Sequence, residues 1–275
     1  MPIIKSKIQT NALKHRYIFY GSPGSGKSTS AINLFDKERV VIFDTENGLK
    51  MHSDLNIWSP TDNPEDRPSR WEHFEQFCRE VLPLKNQFDC IIIDTYWNLY
   101  QWCENFVVKE AGEKDILSGS LGFGKGPKQV KKLLTNWINV FSQSNFGMVF
   151  VCHSKNQLKT IQVKGKSESQ IEQADINLPQ GAKDIIYPLS DFVFYFYQNG
   201  FGERMVKLSG SETHVAKDRT GFLPAEIPNN PFILRKYLID SSEKMEERIK
   251  HARENLLDSL ESSSDNYIKE LGYDI

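Results

Sequence analysis

The chain has 275 residues, of which 39% are hydrophobic, and this is enough for one large α/β domain with an appendage or for two small domains. A net charge of −2 excludes a polybasic protein that binds nucleic acid with its whole surface. The four cysteines form neither a C-x-x-C pair nor a zinc site, which indicates reduced thiols of a cytosolic protein. The sequence has no signal-peptide pattern and no apolar run near the roughly 18 residues of a membrane span, so we expect a cytoplasmic protein without a membrane partner.

Five β-prone runs alternate with helical stretches along the first 200 residues. The runs are residues 17–20, 40–43, 89–93, 148–152 and 192–197. The helical stretches lie at about 28–37, 69–80, 96–110 and 127–144. Because most of the runs are continuously apolar, we expect strands that are covered on both faces. The predicted fold class is therefore α/β, with a mostly parallel central sheet flanked by helices.

The segment after the first run reads Gly-Ser-Pro-Gly-Ser-Gly-Lys-Ser and matches the G-x-x-x-x-G-K-[ST] pattern of a phosphate-binding loop, or P-loop. Its glycines let successive backbone N–H groups point at phosphate oxygens, and the following helix favours negative charge at its N-terminus. We expect Lys27 to contact the β- and γ-phosphates of ATP and the Ser28 hydroxyl to bind Mg²⁺. The predicted nucleotide-binding residues are Gly21, Ser22, Pro23, Gly24, Ser25, Gly26, Lys27, Ser28 and Thr29.

Acidic residues follow the second and third runs, where the carboxyl ends of parallel strands place ligands. Asp94 ends the third run and is predicted to hold the metal. Glu46 follows the second run and is predicted to activate water; the alternative is that Asp44 and Glu46 only cap the next helix. We expect the run 40–43 to be inserted between the P-loop strand and the Asp94 strand, as in ATPases that keep a separate carboxylate for water.

Two further polar residues lie at the expected ligand edge. Thr95, directly after Asp94, is a candidate sensor of the γ-phosphate. His153 ends the run 148–152, and its neutral imidazole could bind phosphate or the attacking water. The alternative for His153 is a purely structural histidine.

Residues 116–167 contain eight lysines and no acidic residue, although the average of the chain would give about seven acidic residues there. The lysines cluster in a glycine-rich loop around residues 117–126 and in a polar loop after His153. Lysines neutralise phosphates, and an aromatic ring on a glycine-rich loop can stack on a base. The candidate DNA-binding residues are Phe123, Lys125, Lys128, Lys164 and Lys166; the alternative is an ordinary solvated basic face.

The pattern changes after residue 200. Residues 205–208 and 213–217 are predicted to form a hairpin. An apolar stripe at helical spacing predicts a separate helix over 241–261, capped by Ser241 or Ser242. We therefore expect a core domain at 1–240 and a helical, acidic tail at 241–275.

The motifs together resemble the RecA-like recombinase core in order and spacing. They are Gly21–Ser28, Phe43–Glu46 and Ile91–Thr95. The segment 216–221, Ala-Lys-Asp-Arg-Thr-Gly, is similar to an element of phage-encoded proteins that consist of the RecA core alone, a group of AAA-type NTP-binding and single-strand annealing proteins. The resemblance covers about residues 15–228.

The resemblance implies a role for several residues. It implies that Glu46 is the catalytic base and that His153 takes the place of the residue, usually Gln, that couples the nucleotide state to a DNA-binding loop. It also implies that Lys217 and Arg219, two positions apart on a predicted strand and without a partner in the predicted site, reach the γ-phosphate of a neighbouring subunit. The alternative is an exposed edge strand whose charges discourage aggregation.

The sequence thus predicts an ATPase with ATP and Mg²⁺ as cofactors, whose turnover is stimulated by single-stranded DNA in recombination, annealing or replication. The expected partners are single-stranded DNA, further copies of the chain in a ring or filament, and a single-strand binding protein. If the chain is phage-encoded, its compartment is the host cytoplasm. The alternatives are a nucleoside or nucleotide kinase, and a non-catalytic scaffold gated by nucleotide.

Overall fold

The computed structural model describes residues 11, 14–49, 54–58, 70–161 and 169–270. Within these residues the chain forms ten strands and six α-helices. The strands are β1 (Arg16–Gly21), β2 (Val40–Asp44), β3 (Asn56–Trp58), β4 (Cys90–Asp94), β5 (Gly147–Ile161), β6 (Ser169–Ile176), β7 (Phe192–Gln198), β8 (Arg204–Lys207), β9 (Lys217–Asp218) and β10 (Glu226–Pro228). The helices are α1 (Lys27–Asn33), α2 (Arg70–Val81), α3 (Tyr96–Ala111), α4 (Lys125–Gln143), α5 (Gln180–Leu189) and α6 (Pro231–Glu270).

The central sheet has the order β10-β8-β7-β1-β5-β4-β2-β3. The strands from β7 to β3 are parallel, and β8 and β10 extend the sheet with antiparallel pairs. This confirms the predicted mostly parallel sheet. A strand does lie between the P-loop strand β1 and the Asp94 strand β4, but it is β5. The prediction that the run 40–43 is inserted there is wrong, because β2 pairs with the other side of β4.

Alternate residues of the central strands face opposite sides of the sheet, and both sides are covered. Ile18 and Tyr20 of β1 belong to a buried cluster with residues of α2, α3, α4 and α5. Tyr17 and Phe19 belong to a second buried cluster with residues of α1 and α6. The continuous apolar runs of the sequence therefore arise because each strand buries both of its faces.

Two elements between β5 and β7 were not predicted. β5 continues as far as Ile161 and pairs antiparallel with β6, so the expected polar loop after His153 is a two-stranded ribbon. Its strand residues are mostly polar, and the apolar signal that identified the other strands is missing there. α5 was also missed, since it carries Gly181 and Pro188, two residues that usually interrupt a helix.

The C-terminal elements also differ from the prediction. The hairpin of 205–208 with 213–217 is not formed: β8 pairs with β7 and β10, while β9 pairs with the start of β7. The helix predicted over 241–261 is the middle of α6, and the Ser241 and Ser242 hydroxyls donate to the Leu238 carbonyl from inside the helix, so neither is its cap. The expected boundary at residue 240 falls inside α6, where no change of secondary structure marks it.

The buried carboxylate of Asp191 links β1, β7 and the segment after β9 at the edge of the sheet where the parallel strands begin. Asp191 precedes β7 and accepts hydrogen bonds from the Arg16 backbone N–H, at 3.0 Å, and from the Arg16 guanidinium, at 3.2 and 3.3 Å. Arg219 donates to the same carboxylate. Burial alone would raise the pKa of Asp191, but hydrogen bonds from His15 and Arg16 and the Arg16 charge hold the pKa well below its usual range.

We expect Asp191→Asn to lower the free energy of unfolding by about 2 to 3 kcal/mol at pH 7, because the neutral amide cannot form ion pairs with the guanidinium groups of Arg16 and Arg219. A depressed pKa stabilises the fold at pH values above the unfolded pKa of about 4 and loses its effect as the pH falls through the folded pKa. The difference between wild type and variant should therefore shrink below about pH 4. Urea titrations at pH 7 and at the lowest pH at which the wild type still unfolds cooperatively measure both quantities.

Asp36→Asn is the matched control, because Asp36 also accepts from an arginine, Arg235, but its side chain is 58% exposed. We expect this control to change stability by less than about 1 kcal/mol. Equal losses in the two variants would contradict a special role for Asp191.

Candidate nucleotide site

The P-loop connects the end of β1 with the start of α1. Gly24 and Gly26 have φ angles of 76° and 90°, a region that side-chain-bearing residues rarely adopt. A Cβ atom on Gly21 would lie 2.0 Å from the Phe196 carbonyl oxygen of the neighbouring strand β7. The glycines are thus required both by the curl of the loop and by its close contact with the sheet.

Lys27 is buried at the first position of α1, and its Nζ donates to the Ser22 carbonyl across the loop at 2.8 Å. Burial lowers the pKa of Lys27, while the charges of Asp94 and Glu46 oppose this effect. Residues 24 and 26–29 line a pocket of about 190 Å³ beside this side chain. The backbone N–H groups of the P-loop and the buried ammonium group of Lys27 together suit the binding of a polyphosphate.

Asp94 lies at the carboxyl end of β4, where it is paired in register with Asp44 of β2. Burial raises the pKa of Asp94 to about 6, and the charges of Glu46 and Asp44 add to this effect. A hydrogen bond from the Ser28 side chain and the charge of Lys27 oppose it. Ser28 and Asp94 together offer a hydroxyl and a carboxylate, the hard oxygen ligands that Mg²⁺ prefers, so the residues present fit this metal.

Asp44 and Glu46 have different environments. The Asp44 carboxylate accepts from the backbone N–H groups of Glu46, at 3.1 Å, Gly48, at 3.4 Å, and Leu49, at 3.0 Å. Asp44 therefore caps the turn after β2, whereas the alternative interpretation expected a cap of the next helix. The Glu46 side chain points instead toward the ends of β4 and β5, so that interpretation does not apply to it.

Glu46 is the centre of a polar cluster at the carboxyl edge of the sheet. Its Oε1 accepts from the Thr95 hydroxyl at 3.0 Å and from the Asn98 amide at 3.5 Å. His153 Nε2 lies 3.7 Å from the same oxygen. His153 in turn is level with Gly21 of β1, and its Nδ1 is buried without a hydrogen-bond partner among the described residues. The structure thus brings Lys27, Asp94, Glu46 and His153, predicted from separate parts of the sequence, to one edge.

Two residues that the sequence did not indicate adjoin the P-loop. Arg204, at the start of β8, lines the same 190 Å³ pocket as Lys27 and Ser28. The Asn229 amide donates to the Ser25 carbonyl at 3.0 Å, its side-chain oxygen accepts from Ser30, and its backbone N–H donates to the Arg204 carbonyl at 2.8 Å. The sequence signal that could have found them was their position in the chain. Because β7 is parallel to β1, the chain that leaves the carboxyl end of β7 passes the edge of the sheet at which the P-loop lies. Asn98 was missed because an asparagine in a helix matches no motif.

The DNA-binding candidates lie on surface segments. Phe123 is fully exposed in the loop between α3 and α4, and Lys125 and Lys128 lie in the first turn of α4. This loop connects two helices. Lys164 and Lys166 lie outside the described residues. Lys155 and Leu158 are exposed on the β5–β6 ribbon.

Lys217 and Arg219 lie away from the nucleotide site of their own chain. β9 pairs with the start of β7 at the level of Tyr17, four residues or about 13 Å along β1 from Gly21. Lys217 Nζ donates to the Ser190 carbonyl at 2.6 Å, and Arg219 donates to Asp191. Both cations thus have partners, but outside the nucleotide site, and a role at the site of a neighbouring subunit stays a prediction.

Comparison with known proteins agrees with this geometry. A family model described as an AAA domain, AAA_24, matches residues 13–220, which include every described element from β1 to β9. None of the curated proteins matches the sequence. Among the described residues, none of the helices combines the length with the apolar composition that a crossing of the membrane requires.

We expect Arg204→Ala to weaken MgATP binding about tenfold or more, because the variant loses a charge-assisted contact in the phosphate pocket. Arg204→Lys should keep most of the affinity. Arg235→Ala removes an arginine that pairs with Asp36 outside the pocket and should bind like wild type. Calorimetry with a non-hydrolysable ATP analogue measures the three affinities, and an unchanged affinity in Arg204→Ala would show that this side chain does not reach the nucleotide.

Proposed function

The chain belongs to the AAA-domain family, and from this premise we propose that it is a magnesium-dependent ATPase of the RecA-like branch whose turnover is coupled to single-stranded DNA. Nucleotide binding by a P-loop ATPase domain follows from the family and the fold. The hydrolytic mechanism, the coupling to single-stranded DNA and the assembly of several copies go beyond the family and the fold, and they are our proposal.

The observation that carries the ATPase proposal is the meeting of one buried cation and two distinct carboxylates at one edge of the sheet. Asp94 is buried and bonded to Ser28, which suits a metal ligand. The Glu46 side chain is 44% exposed and takes no part in the backbone contacts of the turn that Asp44 caps, which suits a base that must meet water. Two carboxylates with such different surroundings can hold different roles in one reaction.

In the proposed mechanism Lys27 binds the β- and γ-phosphates and offsets their charge as the γ-phosphoryl group leaves. Mg²⁺ held by Ser28 and Asp94 would supply further positive charge at the phosphates. Glu46 accepts the proton of the attacking water, while Thr95 and Asn98 fix the orientation of its carboxylate through Oε1. His153, 3.7 Å from Glu46, can donate to the same carboxylate or to a phosphate oxygen.

The DNA part of the proposal is supported by the surface of the acid-free segment. It presents a fully exposed phenylalanine followed by lysines in the first turn of α4. It also contains the first strand of the polar ribbon, the part of β5 that begins at Ser154 directly after His153, whereas the second strand, β6, lies outside the segment and places Asp175 opposite Lys155. A ribbon that begins at a residue beside Glu46 offers a short route between DNA and the hydrolytic site.

Assembly into a ring or filament, with Lys217 and Arg219 serving a neighbouring γ-phosphate, enters the proposal through the RecA-like resemblance. A role in recombination, annealing or replication and the contact with a single-strand binding protein enter it on the same basis.

We expect Glu46→Gln to preserve MgATP affinity while turnover falls by about 10²-fold or more, because the amide has nearly the same shape but cannot accept a proton. Lys27→Ala should lose nucleotide binding itself. Calorimetry with a non-hydrolysable analogue and phosphate release at saturating ATP separate the two effects.

Glu80→Gln makes the same chemical change on the exposed surface of α2 and should leave both quantities unchanged. Loss of affinity in Glu46→Gln with turnover intact would make Glu46 a binding residue. Transfer of phosphate to an added nucleoside would favour the kinase alternative.

Replacing Lys125 and Lys128 together by alanine should weaken binding to single-stranded DNA and reduce the slope of log K against log salt by up to about 1.4, at about 0.7 for each phosphate that is no longer neutralised. Replacing Lys236 and Lys244, two exposed lysines of α6, removes the same charge and should leave the slope unchanged. Fluorescence anisotropy of a labelled oligonucleotide across a salt series gives the slopes. Equal slopes for the wild type and both double variants would show that Lys125 and Lys128 belong to a solvated face and do not contact DNA.

A further inference from the structure

A second cavity lies at the edge of the sheet opposite the P-loop. Its volume is about 410 Å³, compared with about 190 Å³ for the pocket at the P-loop. Residues directly before β1 and β7, at the end of α4 and after β9 line it, together with Ser242 and Met245 of α6. These segments lie at the edge of the sheet where the parallel strands begin, whereas the P-loop lies at the edge where they end. The length of the strands therefore separates the cavity from the nucleotide site.

The cavity has an excess of positive charge. Four cationic side chains in and beside it share two carboxylates. The pairs are Lys14 and Arg39 with Asp89, and Arg16 and Arg219 with Asp191. Two positive charges of this cluster therefore have no matching carboxylate in it, and Arg219, 60% exposed, is the cation that solvent reaches most easily. Such a surplus suits a dianion, the charge of a phosphate monoester at neutral pH.

Two polar atoms on residues that line the cavity are buried without a hydrogen-bond partner among the described residues. They are Nε2 of His15 and the hydroxyl oxygen of Ser142. A buried polar atom without a partner costs about 1 to 3 kcal/mol, so such atoms are rare in native structures. The imidazole nitrogen and the hydroxyl can each donate to or accept from a ligand oxygen.

The remaining wall is apolar. Phe146 and Phe192 line it with rings that are 2% and 1% exposed, and Met245 of α6, which is half-buried, lines it as well. An apolar wall beside a few convergent polar groups is the usual composition of a small-molecule site, and 410 Å³ lies within the usual range of volumes. A bare inorganic anion would fill only a small part of this volume, whereas a ligand with a ring-bearing body would fill more of it, beside Met245.

We propose that this cavity is a second ligand site, which binds a phosphate monoester with a ring-bearing body, of the size of a nucleoside monophosphate. In a subunit whose Arg219 does not serve a neighbouring γ-phosphate, the phosphate lies against Arg219 and the surplus positive charge, and the ring lies beside Phe146, Phe192 and Met245. The site is independent of the P-loop, because the two share no residue.

The test is calorimetry on the full chain with the P-loop first saturated by a non-hydrolysable ATP analogue and Mg²⁺. The four nucleoside monophosphates, the corresponding nucleosides and inorganic phosphate are titrated in turn. We expect saturable binding of at least one monophosphate, with the nucleoside and inorganic phosphate each at least tenfold weaker. Inorganic phosphate bound as tightly as every monophosphate would overturn the ring part of the proposal, and no saturable binding of any monophosphate would overturn the whole.

Two variants locate the binding. Arg219→Ala should weaken the monophosphate about tenfold or more, and Ser142→Leu should block the cavity by filling it without any change of charge. Arg79→Ala, which removes an arginine that is paired on the surface of α2, is the matched control and should bind like wild type. Thermal unfolding of each variant shows that it is folded. Equal affinity in wild type, Arg219→Ala and Ser142→Leu would place the ligand elsewhere and contradict the proposal, whatever the outcome for ATP hydrolysis.

Discussion

The constraint on which the rest of the structure depends is the burial of both faces of the sheet. Ile18 and Tyr20 face one set of helices while Tyr17 and Phe19 face the other, so the strands can present polar groups only at their ends. Parallel pairing then brings the carboxyl ends of β1, β4, β2 and β5 to one edge. Asp94 and His153 lie at this edge in β4 and β5, and Lys27 and Glu46 lie in the segments that leave it after β1 and β2, so the four side chains meet there.

The sequence predicted the parts of the fold whose stability comes from burial. Strands such as β4 and β7 are apolar on both faces, and this signal does not depend on what lies beside them. β6 and the outer half of β5 are stabilised mainly by the ladder between them, in which Ser154 pairs with Ile176 and Ile161 with Ser169, and polar side chains reveal little of such a ladder. β8 and β9 were assigned to each other because they are close in sequence, whereas both pair with β7.

In the site, residues that belong to a motif or end an apolar strand were predictable. Glu46 and Asp44 could not be separated from the sequence, because both follow the same strand and either could cap a turn; only the backbone contacts of Asp44 distinguish them. Arg204 and Asn229 could not be predicted, since they approach the P-loop through pairing of β8 with β7 and β10. Partners at a distance of 204 residues leave no local pattern.

The bridge from Asn229 to Ser25 and Ser30 has a thermodynamic consequence. It closes the chain into a loop that begins at the P-loop and ends just before α6. β8, β10 and the first turns of α6 therefore cannot detach from the sheet without releasing the backbone that cradles phosphate. A ligand that binds only the closed form lowers the population of the open form in proportion to its saturation. Amide protons of the C-terminal segment, remote in sequence, thus become reporters of occupancy at Lys27.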